Sequence, residues 1–190
     1  MDRLFKIVAD EGIDLEYADL SGAPRKLLGV YYPRPPLIVL DRSVERNVPL
    51  HRSVLAEELG HHFTVPRADV ASAYTSYSAQ VELSRDERRA LRWACDMLLP
   101  VMEFADAAAT LEADMPLGAV VEQLAEMFVV TPWLVWRRIH FLREDMRAKG
   151  LRVKPRDVFA PLLVAARWGA AAITATAGVV SMWSNLGGAA

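Results

Sequence analysis

Apolar and polar residues change their spacing twice along the chain, and each change marks a new kind of element. Near the start, Leu4, Ile7 and Val8 form a short helical stripe that ends at Gly12. The run 13-IDLEYADL-20 then alternates apolar and polar positions, as a half-buried strand does. After the turn chemistry of SGAPR, the segments 27-LLGVYYP-33 and 37-LIVLD-41 predict two further short strands. Arg34-Pro35-Pro36 between them suits a hairpin turn or an edge position.

From Leu50 onward the spacing becomes helical. A helix is predicted over 51–63, with Val54, Leu55, Glu58 and His61/His62 at helical intervals, followed by a looser stretch over 64–78 expected as loop or strand edge. Ser84 and Glu87 have the spacing of a capping box, predicting a helix that starts there and stops before Pro100. A helix over 101–111 precedes the Met115-Pro116 break. The segment 117–145 then reads as two helices about a tight VVTP turn, with Thr131 as N-cap and Pro132 in the first turn. The fold class expected is α+β: a small N-terminal sheet, a helical core and a helical C-terminal part with an apolar tail.

Composition narrows the function classes. The apolar fraction of 53% and charged fraction of 24% describe a globular chain. A formal net charge of -2 gives no global attraction to nucleic acid or anionic membranes. The basic residues are nonetheless concentrated between Arg137 and Arg167, where Glu144, Asp145 and Asp157 are the only acids. Cys95 is the sole cysteine, which rules out an internal disulfide and a cysteine-based zinc site; its apolar setting predicts a buried, inert thiol. The N-terminal segment mixes acids and bases and lacks the apolar run of a signal peptide, so a cytoplasmic location is expected.

The candidate chemistry lies in 55-LAEELGHHFT-64. Glu57 and His61 are one helical turn apart on one face and can converge on a single ion. Glu58 projects about 100° further round, near enough to reach a water held by that ion without being a ligand. Two ligands, a neighbouring base and an open coordination position are what a zinc hydrolase needs, and carboxylate oxygen is an accepted zinc ligand. A third ligand is still required. Glu87 can point back from the next helix, beside Asp86; His62 is an alternative, and His51 lies just upstream. A plain solvent-facing helix would carry the same letters, but Gly60 argues for another element packed closely against it.

The segment VLAEELGHHFT, followed by E-x-x-A-x-x-W-A-x-x-x-L-x-P at Glu87–Pro100, resembles the ImmA/IrrE-type metallopeptidases. The preceding GVYYP…LIVLDRSV and the later LAEMFVVTPWLVWRRIHFL fit the same resemblance, which covers about Met1 to Asp145. It implies a zincin-like metallopeptidase domain over 1–113 and a helix-turn-helix-like pair over 114–150. A basic linker and apolar tail over 151–190 lie largely outside it. It also implies a zinc-dependent endopeptidase that cleaves and inactivates a repressor-type transcriptional regulator of a phage, mobile element or stress response. Glu58 would be the general base, and His61 and Glu87 metal ligands. Glu57 stands where the family's first zinc histidine usually lies, so the motif here is EExxH rather than HExxH. Tyr74, Tyr77 and His62 are candidates for accessory contacts to the developing oxyanion.

Two further features bear on partners. In the helix pair, Arg137 and Arg138 would reach phosphates or base edges if the second helix read DNA. Val129, standing where glycine usually makes the tight turn, weighs against DNA and toward packing or repressor docking through Trp133 and Trp136. Residues 161–183 are nearly all apolar or small, with Arg167 near one end. They reach the length of about 20 residues that a membrane span needs, or form a helix docked on the domain. The alternative to an enzyme is a catalytically inactive zincin-fold module that recognises a repressor protein or DNA.

Overall fold

The computed structural model describes residues 3–23, 27–65, 77–112, 114–155, 158 and 159, and for 77–84 the backbone alone. The expected membrane or docked segment at 161–183 lies outside the described residues, as does Tyr74. The architecture is α+β, with six α-helices and one three-stranded mixed sheet among the described residues.

Helix α1 (Arg3–Asp10) buries Leu4 and Val8 and ends before Gly12, whose φ of 62° turns the chain into the sheet. Strands β1 (Asp14–Ala18), β2 (Gly29–Pro33) and β3 (Pro36–Asp41) fall where the alternation predicts them. Their order is β1-β3-β2: β1 runs parallel to β3, and β2 returns antiparallel with Tyr31 opposite Ile38. The β2–β3 hairpin turns at Arg34 and Pro35, where the peptide bond is cis. The central strand contributes Ile38 and Leu40 to the core, both fully buried.

Helix α2 (Val48–Thr64) starts three residues before the predicted position. Asn47 caps it, its side chain accepting from the Leu50 N–H at 3.1 Å, and Pro49 sits in the first turn, where a missing N–H costs nothing. No residue of α2 from Pro49 to His62 is exposed, because β2 and β3, α1 and α3 surround it. This is the central helix of the protein.

Helix α3 (Tyr77–Leu98) corrects the capping-box expectation. Ser84 is in mid-helix, not at a helix start; no Gly or Pro interrupts the chain from 77 to 98, so the helix runs through a sequence that resembles a start. The same correction moves 77 and 78 out of the predicted loop. Helix α4 (Val101–Ala109) leads to the pair α5 (Leu117–Phe128) and α6 (Pro132–Ala148), whose axes turn by 109°. Thr131 caps α6 through Leu134 N–H, as the sequence predicts. Val129 closes α5 in the left-handed region at φ 53°, with Val130 N–H bonded back to Ala125 C=O. The pair shares one continuous apolar core with the sheet, α2 and α3. No single helix among the described residues is long and apolar enough to cross a membrane.

Candidate metal site

Glu57 and His61 lie on the face of α2 turned toward α3, and Glu87 comes from α3. Their potential ligand atoms lie within 4.8 Å of one another, each side chain half-buried. His61 Nε2 is 3.5 Å from a Glu87 carboxylate oxygen. The i, i+4 relation on α2 brings the first two together, and Gly60 allows the third to reach them. A β-carbon at residue 60 would stand 2.8 Å from the carbonyl carbon and Cα of Ala90 and closer still to its carbonyl oxygen. Helices α2 and α3 therefore touch backbone to backbone one turn from the cluster.

Glu58 is 7% exposed and points toward the sheet. Its carboxylate lies over Gly29 of the edge strand β2, where a β-carbon would come within 2.6 Å of Oε1. Because Asp41 N–H bonds Leu28 C=O, the paired residues of β2 are 28, 30 and 32, and the N–H of Tyr31 faces away from β3. That N–H donates to the Glu58 carboxylate. The base candidate is thus held by strand backbone on one side and lies next to the cluster on the other.

The electrostatics follow from three carboxylates grouped around one imidazole. Burial pushes Glu58 up to about 8; Glu57 and Glu87 add to the rise, while His61 and the Tyr31 N–H oppose it. Burial and the neighbouring Glu87 push Glu57 up to about 7, against the pull of His61 and Arg137. Burial opposes protonation of His61, but its hydrogen bond to Glu87 and the charges of Glu58, Glu87 and Glu57 win, and its pKa is raised. A site with this excess of negative charge holds protons that a divalent cation would displace. Two carboxylates and one imidazole are a donor set that suits zinc.

Other sequence candidates are placed elsewhere. His62 is not a ligand to this cluster: its Nδ1 shares a hydrogen bond with Tyr31 Oη at 2.8 Å and its Nε2 is 3.4 Å from Glu11. With both ring nitrogens turned to the sheet and α1, it braces β2 rather than facing the ion position. His51 shares a 2.7 Å hydrogen bond with Tyr17 Oη and stacks on Phe5, nearly three turns from His61. Tyr77 begins α3, but its side chain is outside the described atoms, and Tyr74 is outside altogether. Cys95 is fully buried and pushed up to about 12 by burial, an inert thiol.

Arg138 departs from the DNA-reading expectation. It is 2% exposed and donates to Asp96 of α3 at 2.5 Å, so it cannot reach a phosphate or a base edge. Arg137, one residue earlier, is exposed, with its guanidinium over the Trp133 ring. Trp133 and Trp136 are also exposed. Sequence reading missed Gly29 and the Tyr31 N–H; the signal available was the alternation in GVYYP, which turns one set of backbone groups toward α2. Searches of protein-family models, curated proteins and solved structures find no match to this chain.

Proposed function

We propose that the chain is a zinc-dependent endopeptidase of zincin-like construction that cleaves a repressor-type regulatory protein. The observation that carries this reading is the convergence of Glu57, His61 and Glu87 from two helices, with Glu58 buried beside them. Glu57, His61 and Glu87 would hold the zinc, which when bound supplies Lewis-acid activation of water and of a peptide carbonyl.

The chain's own part in the reaction is proton handling and placement. Glu58, in its ionised form, accepts the proton of the attacking water and delivers it to the leaving amine; burial raises its affinity for that proton. Gly29 leaves room for the carboxylate, and the Tyr31 N–H fixes one of its oxygens. His62, bonded to the Tyr31 hydroxyl, keeps β2 in register with α2. Glu57 in place of a histidine adds negative charge to the ligand set, which would lower the Lewis acidity available.

Elemental analysis of the purified chain, beside Glu58→Gln and His61→Ala, tests this reading. The expected result is about one zinc per chain, kept in Glu58→Gln and lost in His61→Ala. Cleavage of a co-encoded repressor would be lost in both. No zinc in the unaltered chain, even after zinc is added at neutral pH, removes the enzyme reading and leaves a non-catalytic binding module.

A further inference from the structure

Helix α6 carries a groove that the candidate metal chemistry does not use. It encloses about 310 Å³ and is lined by Trp133, Trp136, Arg137, His140 and Arg143, with Pro155. Two indoles from one helix stand 45% and 42% exposed, while Leu134, Val135 and Ile139 on the same helix fill the core. Exposed tryptophan beside arginine is the composition of an interface hot spot.

The charged lining residues are all basic, though Glu144 lies against His140 at 3.2 Å. Arg88, Arg92 and Arg138, between α3 and α6, are each matched with an acid: Glu144, Asp145 and Asp96. Arg137 makes no ion pair among the described residues and lies over the Trp133 ring, 5.1 Å from its centroid. No lining residue is acidic. The groove therefore offers a flat apolar wall with a cation free to take a carboxylate.

Its position ties it to the cluster. The backbone N–H of Thr131, at the start of α6, donates to Ser53 Oγ at 3.0 Å, and Ser53 is one helical turn before Glu57 on α2. Glu57 also lies within the field of Arg137. We infer that this groove binds an acidic peptide segment, a carboxylate next to an aromatic or aliphatic side chain, flanking the bond presented to Glu58. The inference rests on the endopeptidase reading for its purpose, though not for the binding itself. A nucleic-acid strand fits the location less well, since it would lay a continuous row of phosphates past Arg137 toward Glu57, Glu58 and Glu87, whereas a peptide need place only one carboxylate, at Arg137.

Fluorescence anisotropy on the full chain tests it, with a labelled peptide bearing aspartates on either side of a phenylalanine. The controls are its lysine counterpart and a short single-stranded DNA. The aspartate peptide is expected to bind at least about tenfold more tightly than the lysine one, and Arg137→Glu and Trp133→Ala each to weaken it about tenfold with unchanged circular dichroism. His61→Ala should bind the peptide normally. Peptide binding without zinc would overturn the enzyme reading alone. Zinc binding with equal affinity for both peptides would overturn the groove alone, as would an unaffected Arg137→Glu or a DNA strand that displaces the peptide.

Discussion

Gly60 of α2 rests directly on the backbone of Ala90 in α3, with no room between them for a methyl group. Gly60→Ala must therefore push the two helices apart. Overpacking of this kind costs about 1–3 kcal/mol, and the shift also draws Glu87 away from Glu57 and His61. The variant is expected to melt lower and to bind zinc more weakly than the unaltered chain. Gly118→Ala is the control: nothing lies near that position in α5, so the same change should be neutral or raise stability by up to about 1 kcal/mol. Equal melting temperatures for the two variants would mean that α2 and α3 have slack between them.

Val129 is held at φ 53°, a region that costs a residue with a β-carbon about 1–2 kcal/mol. Its side chain is partly exposed and contributes little packing. Val129→Gly is expected to stabilise the chain by roughly 0.5–1 kcal/mol, the strain relief being partly offset by the greater freedom of glycine in the unfolded state. A shift of the urea midpoint upward checks it; a shift downward would mean the valine side chain matters to the α5–α6 turn.

Asp96 and Arg138 form a pair in which only the arginine is enclosed. Asp96→Ala leaves the buried guanidinium without its acid and should cost about 1–3 kcal/mol, discounted from a fully buried pair because Asp96 itself is exposed. Arg138→Met removes the charge and keeps the volume, so it should cost less. Chemical denaturation of the two variants decides the order, and a larger loss for Arg138→Met would contradict this account.

The pH dependence of the metal-free chain has a definite sign. Glu57 and Glu58 are raised from 4.5 to about 7 and about 8, so folding takes up protons at both carboxyls across that window. Stability is highest at its acid end and falls as pH rises through about 7 and 8. His61, also raised, contributes in the same direction: what it adds at low pH is lost as pH passes its folded value. Zinc needs the carboxylates ionised and the imidazole neutral, so its stabilising effect should grow over the same range. Urea midpoints measured from about pH 5 to 8, with and without zinc, should diverge as pH rises, and Glu58→Gln should flatten the metal-free curve. A metal-free curve that is flat from about pH 5 to 8 would mean these carboxyls are already ionised in the fold.

What could be read from the sequence was what helical geometry fixes locally. The pairing of Glu57 with His61 follows from four residues of spacing. Gly60 announced a close neighbour because glycine is costly inside a helix without one. The strands, the hairpin turn and the Thr131 cap were legible for the same local reason. Tertiary placement was not. Arg137 and Arg138 look alike in sequence, yet about 100° of helix rotation puts one in the open and the other against Asp96. His61 and His62 differ in the same way, one facing Glu87 and the other Tyr31. Ser84 carried the letters of a cap but lacked a break before it.

The enclosure of α2 also has a kinetic consequence. From Pro49 to His62 the helix bearing Glu57, Glu58 and His61 has no exposed residue. Its amide hydrogens should exchange with solvent only when the whole domain opens, and rank among the slowest in the molecule. The repulsion among the carboxylates is then borne by the global unfolding equilibrium rather than by a hinge within α2.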